Sequence, residues 1–238
     1  ALHRLVHPAI GETDCEALGD GVLAQPVNAL TSLAYSVIGV VVIVLALRWD
    51  RWRARTIVYG LCLVATGVGS VLVHGPQPAG SRFLHDVPIV LAVLLIALHD
   101  LDLIVDRFHR VVPAFVVIAG LTAVVAAWWP DAAAIATGVV AVTAIVAEVI
   151  VYRRHLRPSP VSRQRRLSVA IVGVGAVAAS MWLLGRTDGP VCDPDSPLQL
   201  HGLWHVVSAV AFGLWWWLAL AEQTRTDDGT PDRVMADR

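Results

Sequence analysis

Apolar residues fill seven long runs of this chain, approximately Val27–Leu47, Ile57–His74, Phe83–Leu101, Val111–Trp129, Ala132–Tyr152, Leu167–Leu184 and Gly202–Ala221. Runs of about twenty such residues leave few folds open, because a helix of that length crosses the hydrocarbon core of a bilayer and satisfies its own backbone polar groups. Between the runs lie short polar or Pro/Gly-rich links such as GPQPAGSR and GRTDGPVCDPDSP, which are turn signals and not linkers between domains. The expected fold is an all-α membrane protein with one seven-transmembrane helix bundle over residues 27–221. An N-terminal segment, 1–26, precedes the bundle, and a polar tail, 222–238, expected to be disordered, follows it. Composition agrees: 56% of the 238 residues are hydrophobic and 16% charged, against about a quarter charged in soluble domains. The first thirty residues contain Asp, Glu, Gln and Pro in place of a continuous apolar stretch, so no signal peptide is expected.

Arginine placement orients the bundle. Every one of the 18 basic residues is Arg, and they gather in alternate links. Arg48, Arg51, Arg53 and Arg55 follow the first run, Arg107 and Arg110 the third, and Arg153, Arg154, Arg157, Arg163, Arg165 and Arg166 the fifth. The other links hold only Arg82 and Arg186. Positive-inside asymmetry puts the N-terminus outside and the C-terminus in the cytoplasm. Alternation with span parity also argues against a nucleic-acid surface, although such arginines can meet anionic headgroups. No protein partner is inferable.

This orientation gathers five polar residues at one depth near the extracytoplasmic interface. They are Ser70 and His74 in GSVLVH, Asp86 in FLHDVP, and His201 and His205 in HGLWH. Ionisable groups in apolar spans are costly unless paired, metal-bound or facing water, so they read as functional. His201 and His205 stand at i and i+4 on one helical face, and Ser70 and His74 repeat that spacing. Three imidazoles are a common ligand set for catalytic zinc, which keeps a fourth position open. The expected metal ligands are therefore His74, His201 and His205, with Zn2+ as cofactor. Asp86 is expected as general base or water-orienting group, against the plainer role of complementing a helix N-terminus. Ser70 is expected to donate to an oxyanion, against simple back-bonding to a carbonyl. His85 points about 100° away from Asp86 around the helix and is kept in reserve.

Other polar and aromatic residues receive structural readings. Cys15 and Cys192 both fall on the outer side, where disulfides persist, and are expected to pair, while Cys62 is packing. Glu148 is expected to pair with Arg153 or Arg154. His99, Asp100 and Asp102 are expected to snorkel to the cytoplasmic interface. Trp215, Trp216 and Trp217 suit an aromatic belt.

Taken together, S-x-x-x-H ending the second span, an Asp opening the third and H-x-x-W-H opening the seventh resemble the alkaline ceramidase family. That family belongs to the CREST group of membrane hydrolases, which also includes the adiponectin receptors. The resemblance runs from about Asp14 to Trp217. It implies zinc on His74, His201 and His205, assistance to hydrolysis from Ser70 and Asp86, a site-lining Trp204, and an outer disulfide matching Cys15 and Cys192. It departs at the calcium site, which eukaryotic ceramidases build on D-W-C-E-x-N and a later Glu. Here the stretch reads Thr13, Asp14, Cys15, Glu16, Ala17, Leu18, with Gln25 at the place of the later Glu. A hard cation takes six to eight oxygens, and with so few carboxylates Ca2+ is a doubtful occupant.

The function expected is a zinc-dependent intramembrane hydrolase that cleaves the amide bond of a ceramide-like or other N-acyl lipid. A zinc-containing receptor of the adiponectin-receptor type, with weak or no turnover, is the alternative. A zinc transporter is disfavoured, since Ile57–Thr66 and Val210–Ala219 offer almost nothing to coordinate an ion along a path.

Overall fold

In the computed structural model, which describes residues 11–49, 53–105, 111–153 and 163–227, all regular structure is helical. The order is α1 (Pro26–Trp49), α2 (Arg53–His74), α3 (Ser81–Val105), α4 (Val111–Trp128), α5 (Pro130–Val151), α6 (Arg163–Leu184) and α7 (Leu200–Asp227). These match the seven expected spans, and α7 continues to Asp227, past the expected end of the bundle at residue 221. Most of the arginine-rich links, at 50–52, 106–110 and 154–162, lie outside the described residues, as do 1–10 and 228–238.

Five helices, α1, α2, α3, α6 and α7, are long and apolar enough to cross a membrane by length and composition. The apolar parts of α4 and α5, Val112–Trp128 and Ile135–Val151, are shorter. Large aliphatic side chains cover the outside of the bundle: Val116, Val117, Leu121 and Val124 on α4 and Ile135, Val139, Val142 and Ile145 on α5 are all exposed. So much contiguous apolar surface is untenable in water and natural in lipid.

Neighbouring helices pack in the order α6, α7, α1, α2, α3, with α4 and α5 against α3. Ser168 on α6 donates to Glu148 on α5 at 2.9 Å. Of the ion-pair partners expected for Glu148, Arg153 is exposed and Arg154 lies outside the described residues. The main core cluster joins Val42, Tyr59, Cys62, Leu63, Ala92, Trp215 and Trp216. Two expectations change here. Trp215 and Trp216 are core residues and not a lipid-facing belt, because α7 turns them onto α2, with the Tyr59 and Trp215 rings 5.0 Å apart. His99 and Asp100 are buried and do not snorkel, while Asp102 accepts from Arg55 Nη2 at 2.9 Å.

One backbone approach decides how α3 meets α2. Pro88 lies inside α3 and has no N–H for the Leu84 carbonyl one turn earlier. That carbonyl lies against Gly69 on α2, where a Cβ would collide with the Leu84 and His85 backbone. Glycine at this position lets α3 bring His85 beside the end of α2.

Candidate metal centre

His74 is the last residue of α2, and His201 and His205 lie in the first two turns of α7. Their exposures are 2%, 5% and 0%. Ring centroids are 5.1 Å apart for His74 and His201, 5.2 Å for His74 and His205, and 4.7 Å for His201 and His205. One nitrogen from each ring lies within 4.8 Å of the other two. Buried polar atoms are ordinarily hydrogen-bonded, yet His205 Nε2 has no such partner.

The opposite ring nitrogens explain the arrangement. His74 Nδ1 lies 2.7 Å from Gln25 Oε1. His205 Nδ1 lies 3.2 Å from Ser32 Oγ and 3.3 Å from Thr31 Oγ1. His201 Nδ1 faces Asp14 Oδ1 at 3.5 Å. Ligating histidines characteristically give their second ring nitrogen to a partner of this kind, which sets the tautomer. His74 and His205 thus engage Nδ1 and keep Nε2 for the shared point, whereas His201 Nδ1, although near Asp14, has no hydrogen-bond partner. Three buried imidazoles fit zinc or a similar borderline divalent metal.

All these partners come from the single stretch Asp14–Ser32, which passes over the ends of α2 and α7. Its path follows from local chemistry. Cys15 is disulfide-bonded to Cys192. The Glu16 carboxylate accepts from Val27 N and Asn28 N, each at 2.8 Å, and so satisfies the first N–H groups of α1. Ala17 N donates to Pro194 O and Thr187 N to Thr13 O, joining the segment to the loop before α7. Glu16 and Gln25, at the positions compared with a calcium site, are thus engaged with the helix start and with His74.

Ser70 is fully buried, its hydroxyl 2.7 Å from Ser32 Oγ. Ser32 donates to Asn28 O at 2.6 Å. Its lone pairs then receive the protons of Ser70 and His205 Nδ1, giving a saturated chain from Ser70 through Ser32 to His205. Asp86 is not in the histidine cluster. Its Oδ1 accepts from His85 Nδ1 at 2.6 Å and its Oδ2 lies 3.6 Å from Arg82 Nε. The His85 ring lies edge-on to His74 with centroids 6.4 Å apart. The reserve candidate therefore touches both the carboxylate and one of the three histidines.

Trp204 flanks the cluster, with centroids 5.0 Å from His201 and 5.1 Å from His205. On the Asp86 side a cavity of about 220 Å³ is lined by Gly80, Arg82, Phe83, Asp86, Ala126 and Ala127, two polar groups against an apolar wall.

Sequence reasoning missed Gln25, Thr31 and Ser32 as partners of the histidines. A signal was present: Asn28, Thr31, Ser32, Tyr35 and Ser36 recur at helical spacing and draw a polar stripe along an otherwise apolar α1. No pattern in the sequence marked Gln25 as a partner of His74.

Compared with known families, the chain matches the model of the Ceramidase family over residues 20–235, which takes in all seven helices and the three histidines. No curated protein matches the chain.

Proposed function

The chain belongs to the ceramidase family, and from that premise we propose that it is a zinc-dependent intramembrane amidohydrolase acting on ceramide or a related N-acyl lipid. The observation that carries this reading is the convergence of three buried imidazoles, one nitrogen of each within 4.8 Å of the others, with His205 Nε2 and His201 Nδ1 left without hydrogen bonds. His74, His201 and His205 would hold the ion. Zinc in a three-histidine site supplies Lewis acidity, making water a nucleophile near neutral pH and polarising a scissile carbonyl.

The remaining steps belong to the chain's own side chains. Asp86 takes a proton and returns it to the leaving amine, the general acid–base role, and does so through His85, which it orients at 2.6 Å. Ser70 rotates its O–H away from Ser32 to donate to the oxyanion, an exchange that leaves Ser32 still held by Asn28 and His205. Trp204 provides a flat apolar wall for the lipid beside His201 and His205. The cavity between Arg82, Phe83 and Asp86 takes the polar end of the substrate. Alternation of the arginine-bearing links supports a centre on the extracytoplasmic side, with the N-terminus outside.

Fatty-acid release from a panel of ceramides and other N-acyl lipids tests this reading, with wild type, His85→Gln and Asp86→Asn compared and bound zinc measured alongside. Release is expected from wild type and little from either variant. Equal release from wild type and Asp86→Asn would sink the acid–base assignment. Zinc bound without release from any lipid would favour a receptor.

A further inference from the structure

Gln25 is fully buried immediately before α1 and makes three hydrogen bonds that together leave it one orientation. Its Nε2 donates to Gly11 O at 2.9 Å and to Glu16 O at 2.7 Å. Carbonyl oxygens only accept, so the amide nitrogen must face them, and Oε1 is turned to His74 Nδ1 at 2.7 Å. An amide oxygen also only accepts. His74 must therefore carry its proton on Nδ1 and present a bare lone pair on Nε2. Backbone bonds close the arrangement, since Gln25 N donates to His74 O at 2.7 Å and Ala24 N to Gly75 O at 3.2 Å.

We propose that Gln25 is a positioning residue that sets the tautomer and ring direction of His74 and ties the Gly11–Glu16 segment to the metal centre. The inference rests on the three-histidine reading and adds to it a residue outside the ligand set. The two halves of the amide do different work. The oxygen serves the metal ligand, and the nitrogen serves the loop that carries Asp14 and the Cys15 disulfide. A neutral carboxamide is the one side-chain group of this length that accepts on one arm and donates twice on the other.

Substitution separates the halves. Gln25→Leu removes both, whereas Gln25→Glu keeps an acceptor for His74 and sets a carboxylate against two carbonyl oxygens. Zinc affinity is read by chelator competition on metal-stripped protein, and loop order by hydrogen exchange at residues 11–16. Gln25→Leu should bind zinc about 10–100-fold more weakly, the usual consequence of losing a partner of a metal-bound histidine. Gln25→Glu should bind within a few-fold of wild type yet exchange faster across the loop. Equal weakening in both variants would show that Gln25 acts through the loop alone and would overturn its role toward His74. Wild-type affinity in Gln25→Leu would overturn it too. Spectra of 15N-histidine wild type need no variant: His74 should be protonated on Nδ1 in metal-free and zinc-loaded protein alike, and an Nε2-protonated ring in the metal-free form would refute the proposal. No zinc bound by wild type would instead refute the three-histidine reading itself.

Discussion

Helix α2 carries a polar cluster at each end, partly buried at its start and buried at its end, and the two are composed oppositely. Near its start, Arg55 donates to Asp102 at 2.9 Å, and buried His99 lies edge-on to Trp215 with centroids 5.4 Å apart. Near its end, His74 joins His201 and His205 in a group of lone-pair donors, and the acidic residues around them lie behind the rings. The first cluster contains its own cation, a guanidinium. The second is built of three imidazoles, with one nitrogen of each within 4.8 Å of the others. Burial of ionisable groups in an apolar span therefore does not by itself identify a functional site. What separates the two is that a guanidinium meets a carboxylate in the first, while three imidazole nitrogens converge on a shared point in the second.

The largest effect should come from the convergent end. His205→Ala should eliminate both lipid hydrolysis and bound zinc, which in wild type should be about one per chain, while His99→Ala keeps its metal. Elemental analysis of the purified proteins decides it, and comparable zinc loss in His99→Ala would erase the distinction between the clusters. Ser70→Ala should come next. Removing an oxyanion donor typically costs about 10²–10³ in kcat, and steady-state release of fatty acid should show that drop with zinc retained. Loss of zinc in this variant would assign Ser70 to the support of His205 through Ser32.

Smaller effects should appear as stability. Cys15→Ser unties the segment that holds the Nδ1 atoms and should cost about 2–4 kcal/mol of stability, the usual value of a disulfide. Thermal unfolding without reductant measures it, and an unchanged transition would mean that Glu16 and Gln25 anchor the segment unaided. Arg55→Met breaks the pair at the other end. Breaking a fully buried pair costs about 3–5 kcal/mol; with 17% and 11% of the two side chains still exposed, about 2 kcal/mol is expected. Zinc content should not change. A loss of zinc in Arg55→Met would show that the two ends of α2 are coupled.

Much of this was legible before any coordinates. The apolar runs placed seven helices, and the third, expected at Phe83–Leu101, extends over Ser81–Val105. The i, i+4 histidines of HGLWH do share a face, and Cys15 does meet Cys192. Misreadings came from residues whose environment is set by a neighbour. Trp215 and Trp216 have the composition of a membrane belt but are buried in the core, Trp215 against Tyr59, and His99 is near a helix end yet covered by Trp215. Hydropathy finds the helix and its polar stripe; it does not find the surface opposite.

The sequence by itself determined that the chain forms apolar helices in a membrane, because backbone polar groups in lipid must be satisfied within each segment. It also determined that His201 and His205 act as a pair, since helical spacing is a local property. Only the tertiary structure decided which ring nitrogen His74 and His205 turn toward the cluster. That depends on Gln25 and Ser32, which are distant in sequence and are brought over the rings by a disulfide and a capped helix start. It likewise decided that His85 touches both Asp86 and His74. The physical reason is the contact at Gly69, where two backbones approach too closely for any other residue and set the rotation of α3 against α2.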